Sequence, residues 1–236
     1  MQRMARFDRP ALGRPSARGG RREGCRYAED PPLPRRLARA ELPCEAVALA
    51  RALIGKSLVH ELPDGSAGVR VVETEAYPVG DPAGWAFRGQ SRSNAPLFEG
   101  FGFIHVYLSY GVSWLISIAA EAGDGGAGVL FRAGEPIWAV RGMIDRRNTR
   151  RFVDLTNGPG KLSEALNVGH NYNGGGFFDG GALWIGTSVR PVERLAVSRR
   201  IGISKAIDQP LRFYEDCNPF VSGLIGHGRI VITGGD

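Results

Sequence analysis

The sequence predicts a mixed α+β domain with a mostly antiparallel sheet. Segments with strand character follow one another through short turns, whereas a doubly wound parallel sheet would alternate them with long helices. No glycine-rich phosphate loop of the P-loop or dinucleotide type occurs, so nothing indicates a nucleotide cofactor. The 236 residues, 43% of them apolar, suffice for one large domain with its own core.

The first predicted elements are a helix and a hairpin. Residues 46–54 have helical character and end at Gly55, which suits the position after a helix C-cap. Residues 57–62 and 69–75 predict two strands joined across the Pro-Asp-Gly-Ser turn at 63–66.

A long loop and a second set of strands follow. The loop is predicted at 78–102, which is rich in Gly, Pro, Ser and Asn, as functional loops often are. Strands are predicted at 103–110, 112–120, 128–132 and 182–185, helices at 136–148 and 161–166, and a final segment at 211–222.

Positive charge is concentrated at the N-terminus. Residues 1–40 contain eleven Arg and four acidic residues, whereas the rest of the chain has a net charge of −1. We therefore expect a flexible basic arm at 1–40 and the folded domain at 41–236. Such an arm can bind phosphates without reading sequence. The equally weighted alternative is a solvated leader, or a start codon placed too early, with Met4 as another start.

Cysteine usage and hydropathy exclude several classes of protein. Cys25, Cys44 and Cys217 are few, widely spaced and odd in number, which argues against a disulfide framework and fits a reducing cytoplasm. No run of 18 apolar residues exists and no apolar signal segment precedes the domain, so we expect no membrane contact.

Two carboxylates on a predicted strand are the first candidates for chemistry. Alternation places Glu73, Glu75 and Tyr77 on the face that also carries Val69 and Val71. Because that strand is largely apolar, its carboxylates need a partner or a task. One interpretation is a general base whose pKa is set by a cleft. The other is a pair of carboxylates bound to backbone amides or arginines.

Aromatic residues dominate the second candidate stretch. His105 and Tyr107 share a strand face, and Tyr110 stands at the strand end just before Gly111. An aromatic at a protruding turn can insert between stacked bases, or it can be an ordinary core residue. His105 can either serve as a metal ligand together with Glu73 and Glu75 or have a structural role.

Two cationic positions complete the candidates. Arg132 ends an apolar strand, where its charge requires a carboxylate or phosphate partner, with Glu73 or Glu75 as candidates. Lys161 belongs to the stretch 157–162, in which a Gly-Pro turn opens a helix and can present backbone amides to a phosphate.

Taken together and in order, these motifs resemble the alkyladenine type of 3-methyladenine DNA glycosylase. The resemblance covers most of the chain, from Leu42 to Ile230. It rests on the segments 55–59, 72–77, 88–89, Asn94, 106–107, 110–111, 123–125, 129–133, 157–162, 200–203, 210–214 and 221–222.

The resemblance implies a single α+β domain around a curved sheet, with a protruding hairpin that intercalates into DNA. It implies a monofunctional enzyme that flips a damaged purine out of double-stranded DNA and hydrolyses its N-glycosidic bond. It also implies no metal or other cofactor, a monomeric protein and a location in the cytoplasm at the bacterial nucleoid.

Residue roles also follow from the resemblance. Glu75 is the implied general base, and Arg132 with the backbone carbonyl of Val221 holds the attacking water. The flipped base is assigned to the stacking residues Tyr77 and Tyr107 and to the pocket residue Leu130. DNA contact is assigned to Tyr110 as the wedge and to Lys161, Gly202 and Lys205.

Three departures from the family pattern affect the pocket. Trp85 stands where the family usually has His, and Ser117 stands where it usually has an Asn that blocks the 2-amino group of guanine. Ser91-Arg92-Ser93 replaces Thr-Pro-Arg. These changes predict an altered range of bases. Two alternatives stay open: a DNA-binding paralogue with little catalysis, and a metal-dependent hydrolase using Glu73, Glu75 and His105.

Overall fold

The computed structural model describes residues 30–121, 125–223 and 230–232. Residues 1–29 of the predicted arm, including Cys25, and the Gly123-Asp124 pair of the family motifs lie outside these ranges. The strands are β1 Ser57–His60, β2 Ala67–Tyr77, β3 Ile104–Ser109, β4 Ser113–Ala120, β5 Ala127–Trp138, β6 Leu183–Gly186, β7 Leu195–Ser198, β8 Arg212–Glu215 and β9 Ile230–Ile232. The α-helices are α1 Ala46–Leu53, α2 Val140–Arg147 and α3 Pro159–Ala165.

One antiparallel sheet joins all of these strands, in the order β3-β4-β5-β2-β8-β7-β9, with β1 bridging β2 and β6. The long strand β2 is its centre. Along one edge β2 pairs with β5, and along the other it pairs first with β1 and then with β8. Because β2 changes partner along its length, the sheet curves around it. The predicted α+β domain with a curved antiparallel sheet is thereby confirmed.

Helix α1 covers one face of β2. The Glu45 side chain accepts hydrogen bonds from Val47 N and Ala48 N and so caps the first turn. The helix ends before Gly55, whose φ of 84° suits a residue without a Cβ. In the strand below, the Thr74 hydroxyl donates to the Ala50 carbonyl at 2.8 Å.

A bulge in β2 corrects the predicted alternation of side chains. The register against β5 shifts between Val71 and Thr74. Val69 and Val71 consequently lie in the same core as Ala76, on the α1 side. The prediction that Val69 and Val71 share a face with Glu73 and Glu75 is therefore wrong. One extra residue in a strand reverses the pattern that follows it.

The predicted helix at 136–148 begins too early. Strand β5 continues through Pro136 to Trp138, because these residues still pair with Val69 and Gly68 of β2. The helix itself begins only at Val140. The short strands β7 and β9 have no counterpart in the prediction, since a few residues on their own carry too little periodicity to be recognised.

The segment that precedes the predicted domain boundary packs on the sheet. The Trp138 indole donates to the Pro31 carbonyl at 2.8 Å, and Leu37 N donates to the Ile185 carbonyl at 2.9 Å. Ala139 N donates to the Asp30 carboxylate at 2.7 Å. Residues 30–37 therefore contact the domain, although they belong to the predicted arm.

Strands β3 and β4 form a hairpin with an exposed tip. The turn is closed by a hydrogen bond from Val112 N to the Ser109 carbonyl at 3.0 Å. Tyr110 and Gly111 between them both have positive φ, which suits the twist of a hairpin. Tyr110 is 88% exposed and Val112 is 82% exposed. Such exposure of two apolar side chains at one tip is typical of a contact surface.

In the described ranges no helix is long and apolar enough to cross a membrane.

A buried ion pair connects β2 with β8. The Arg70 guanidinium donates to both oxygens of Glu215, at 2.5 and 2.7 Å, and Asn218 donates to the same carboxylate at 2.8 Å. Burial raises the pKa of Glu215, but the hydrogen bonds from Arg70 and Asn218 outweigh it, and the net pKa is lowered. This contribution to stability is therefore present at neutral pH and is lost as the pH falls below 4.5 through the lowered pKa.

We expect Arg70→Met to reduce the free energy of unfolding by about 3–5 kcal/mol, because it leaves the Glu215 carboxylate buried with weaker pairing. Urea denaturation followed by circular dichroism at pH 7 measures this loss. The double variant Arg70→Met with Glu215→Leu is the matched control and should recover most of the stability. A single variant as stable as the wild type would contradict the assignment.

Candidate active site

The candidate site lies on the face of the sheet opposite α1. Residues that are directly paired across neighbouring strands place their side chains on one face. One such row runs across five strands and contains His105, Ser117, Leu130, Glu75 and Arg212. The curved sheet and the loop at 78–102 enclose a cleft of about 700 Å³ over this row.

Glu73 is the most extensively paired group beside the cleft. Its Oε1 accepts from Arg132 Nε at 2.8 Å, Arg212 Nε at 2.7 Å and Ser222 Oγ at 2.9 Å. Its Oε2 accepts from Ser222 N at 2.6 Å. With four donors on a fully buried carboxylate, Glu73 has a structural role that links β2, β5, β8 and the segment after β8.

Glu75 is also fully buried, but its pairing is lighter. Its Oε1 accepts from Ile201 N at 2.7 Å, and its Oε2 accepts from the Tyr77 hydroxyl at 2.9 Å. Arg132 Nη1 lies 3.1 Å from the same Oε2. An ionised carboxylate offers about four acceptor positions, so Glu75 is held in one orientation with capacity for a further donor such as water.

Arg132 is fixed by both carboxylates. Its Nε and Nη1 contact Glu73 and Glu75, and its Nη2 donates to Ser222 Oγ at 3.1 Å. Burial lowers the pKa of Arg132, but the two carboxylates raise it by more, so the guanidinium stays charged. The predicted partnership of Arg132 with Glu73 or Glu75 is confirmed, and it includes both. Val221 is buried next to Ser222 in the chain, beside this network.

Tyr77 is supported from behind by a second buried ion pair. The Arg200 guanidinium lies 4.6 Å from the Tyr77 ring centre, donates to the Ala76 carbonyl at 2.9 Å and pairs with the Asp81 carboxylate. Burial raises the pKa of Tyr77, and the charge of Glu75 raises it further. The hydroxyl therefore stays protonated and remains a donor to Glu75.

Three aromatic rings form the opposite side of the cleft. Trp85 packs on Tyr107 with ring centres 4.6 Å apart, and His105 stacks on Tyr107 at 5.0 Å. Burial, followed by the charge of Glu75, raises the pKa of Tyr107, which stays neutral. Trp85 and Tyr107 contact each other directly, which leaves no room for a planar ligand between these two rings, and Tyr77 lines the same cleft.

The loop that carries Trp85 is held by one buried amide. Asn94 Nδ2 donates to the carbonyls of Trp85 and Gly89, at 2.9 and 3.1 Å, and its Oδ1 accepts from Ser91 N at 2.6 Å. The loop packs closely on the residue before β5, where a Cβ on Gly126 would lie 2.6 Å from Ala86. Asn94 therefore sets the position of Trp85 through the backbone.

Three of the four predicted DNA-contacting residues, Tyr110, Gly202 and Lys205, line the cleft. The Tyr110 hydroxyl donates to the Gly202 carbonyl at 3.4 Å, and Lys205 Nζ lies 5.7 Å from the Phe87 ring centre. Lys161 is set apart from them and donates to Asn157 Oδ1 at 2.7 Å. Its neighbour Pro159, the first residue of α3, lines the cleft.

The geometry does not favour the metal-dependent alternative. His105 lies three strands away from Glu75 in the row, about 14 Å at a strand spacing of about 4.8 Å. Both oxygens of Glu73 and of Glu75 are bound by protein donors. Within the described ranges, no group of three or more His, Cys, Asp or Glu side chains is arranged to hold a metal ion.

Several residues at the site were not selected from the sequence as functional. Arg212, Ser222, Asp81 and Arg200 lie beside the cleft, yet they were only parts of family motifs or of the loop. Arg212 opens a strand, so the argument that a charge on an apolar strand needs a partner applies to it as it did to Arg132. Nothing in the sequence connects Asp81 with Arg200, which are far apart in the chain.

Comparison with known proteins agrees with this geometry. The family model described as methylpurine-DNA glycosylase matches residues 40–219. Three relatives are each provisionally named a 3-methyladenine DNA glycosylase. A Paraburkholderia phytofirmans protein is 44% identical over 187 residues, which cover 79% of this chain and 88% of the relative.

The matches to the other two relatives cover similar shares of both chains. A Mesorhizobium japonicum protein is 42% identical over 84% of this chain and 93% of its own length. A Salinibacter ruber protein is 39% identical over 75% of this chain and 91% of its own length. With the family model matched over most of the domain, this chain belongs to the methylpurine-DNA glycosylase family, DNA repair hydrolases that act on N-glycosyl bonds.

Proposed function

We propose that this glycosylase releases alkylated purines from double-stranded DNA, with Glu75 as the general base. The observation that carries the proposal is the orientation of the Glu75 carboxylate by Tyr77, Ile201 and Arg132 beside the cleft. A water molecule bound to the remaining acceptor position loses its proton to Glu75 as its oxygen bonds to C1′. The glycosidic bond breaks, and its electron pair leaves with the base.

Arg132 and the Val221 backbone carbonyl position this water. Arg132 is fixed by Glu73, Glu75 and Ser222, and Val221 precedes Ser222. A base that carries a positive charge from alkylation is already a good leaving group, so a carboxylate and a positioned water are sufficient. A Schiff base requires an amine that attacks the sugar, and Lys205 instead lies at the rim of the cleft, beside Phe87. We therefore propose hydrolysis without a Schiff base and without strand cleavage.

The flipped base lies between Tyr77 on one side and the Trp85–Tyr107 pair on the other, with Leu130 and Ser117 beneath it. These side chains are neutral or apolar, and the rings stack on either face of a purine. Arg200 supports the outer face of Tyr77 and so holds this wall in place. A cationic base gains further from aromatic rings through cation–π attraction.

The β3–β4 hairpin inserts into the duplex. Tyr110 at its tip fills the gap that the flipped nucleotide leaves, which offsets an unstacking cost of a few kcal/mol. Gly202, Lys205 and Lys161 contact the flanking DNA backbone. The basic N-terminal arm adds contacts with phosphates. The enzyme acts as a monomer in the cytoplasm, at the nucleoid, and needs no cofactor.

Glu75→Gln should reduce base release by at least about 100-fold, because a neutral amide cannot accept the proton of water. Single-turnover release of 3-methyladenine from a duplex measures the chemistry, and fluorescence anisotropy with an abasic-site duplex measures binding, which should be retained. Glu73→Gln is the matched control. It should mainly lower the free energy of unfolding and should reduce the rate of base release less than Glu75→Gln does. Wild-type turnover by Glu75→Gln would refute the role of Glu75. A wild-type protein that binds the DNA but releases no base would instead indicate a paralogue without catalysis.

Tyr110→Ala should weaken binding to a duplex lesion by roughly 10-fold or more, and binding to the same lesion in a single strand much less, since only the duplex must be unstacked. Competition binding with both substrates measures the difference. Tyr110→Phe keeps the ring and should behave like the wild type. Equal losses on both substrates would remove Tyr110 from this role.

Ser117→Asn should reduce release of 7-methylguanine and 3-methylguanine and spare 3-methyladenine. Ser117 is nearly buried on the floor of the cleft. A longer side chain there occupies the space that we assign to a 2-amino group. Trp85→His should raise release of the neutral base hypoxanthine, because the unprotonated nitrogen of an imidazole accepts a hydrogen bond from the edge of the base, whereas an indole ring has no acceptor. A panel of single-lesion duplexes tests both variants. Equal wild-type rates on hypoxanthine and 3-methyladenine, unchanged by either substitution, would contradict this description of the pocket.

A further inference from the structure

His105 is a buried polar side chain of the cleft to which the catalytic steps assign no task. It lies in β3, 1% exposed, directly opposite Ser117 in β4. Its Nε2 atom has no hydrogen-bond partner among the residues that the structure describes. A buried ring nitrogen without a partner costs free energy, so a native protein that keeps one has a use for it.

The ring of His105 is neutral at physiological pH. Burial lowers its pKa to about 4, although the backbone of Ser93 opposes the shift by accepting a hydrogen bond from the ring. A neutral imidazole has one protonated nitrogen and one lone pair. Because Nε2 has no partner, the proton donated to Ser93 lies on Nδ1. Nε2 therefore presents an acceptor.

The position of His105 along the row fits the far edge of a purine. Glu75, which faces the reacting sugar carbon, lies three strands away, about 14 Å at the backbone. With Glu75 acting at the sugar carbon as proposed, the water, the sugar carbon and the long axis of the base have to lie end to end along this span. The edge of the base that carries the exocyclic groups then lies beside Ser117 and His105.

We propose that His105 is a specificity-determining residue, whose Nε2 accepts a hydrogen bond from an exocyclic amino group of the flipped purine. The inference rests on the proposed function and names the substrates that it favours. Alkylated adenine and guanine both carry an amino group. Hypoxanthine bases have no amino group: their only exocyclic group is a carbonyl oxygen, which cannot donate to Nε2, and their remaining edge donor is the N1–H of the ring itself.

Trp85 controls access to this acceptor. Its indole lies against His105, with ring centres 6.4 Å apart, while the residue itself is 49% exposed on the loop. A purine that enters between Tyr77 and the Trp85–Tyr107 pair shifts the indole away from His105 and puts a hydrogen-bond donor in its place. The indole stays on the same side of the base as Tyr107. Nε2 thus obtains a partner only when an amino-bearing base is bound.

The test uses three bases that share a 7-methyl group and a positive charge: 7-methylguanine, 7-methyladenine and 7-methylhypoxanthine. Single-turnover release of each from the same duplex gives the preference for an amino base over 7-methylhypoxanthine. We expect His105→Phe in the full-length chain to reduce this preference about tenfold, the value of one hydrogen bond to an otherwise unpaired group. The 2-amino and 6-amino bases show which of the two groups is recognised.

Two further variants make the result decisive. His105→Gln restores an acceptor near the position of Nε2 and should retain a measurable part of the preference, even if His105→Phe folds poorly. His170→Phe, at an exposed histidine outside the cleft, should leave the preference unchanged. Release of all three bases with the same ratios in the wild type, His105→Phe and His105→Gln would overturn the inference while leaving the proposed function intact. Failure of the wild type to release any of them would overturn both.

Discussion

The site depends on the buried carboxylate of Glu73. Four donors from three side chains and one backbone amide converge on it, and they connect the central strand with β5, β8 and the segment that follows β8. Removing one partner of such a buried charge costs several kcal/mol, so the arrangement is rigid. Glu73 fixes the orientation of Arg132, and Arg132 in turn contacts Glu75 and helps to hold its carboxylate in place.

Two glutamates two residues apart thus acquire different tasks from their partners alone. Glu73 receives two arginines and both donors of Ser222, which saturate it. Glu75 receives one arginine, one phenol and one amide, and it keeps room for a further donor. Charge is balanced overall, since Arg132 and Arg212 offset the two carboxylates. The same pairing that allows these charges to be buried holds the proposed base in place.

Opposite the carboxylates, the cleft is built from rings, and its polar groups are few. Tyr77 is held from behind by Arg200, Tyr107 is flanked by His105 and Trp85, and the loop is fixed by Asn94. A stacking slot of this kind accepts many flat bases. In the function that we propose, selection among them rests on the small number of polar atoms at its edge, Ser117 and His105 among them, and on the hairpin tip.

The sequence by itself determined the α+β class, the strand with both glutamates, the exposed turn at Tyr110 and the need of Arg132 for an anionic partner. Those conclusions depend on local alternation, turn residues and the cost of burying charge, which are properties of short segments. Only the tertiary structure decided which carboxylate is saturated, because Arg212 and Ser222 reach Glu73 from distant segments. It also decided the bulge that turns Val69 and Val71 to the core, the Asp81–Arg200 support of Tyr77 and the unpartnered nitrogen of His105. Each of these depends on strand register and on contacts between remote residues, which no local pattern encodes.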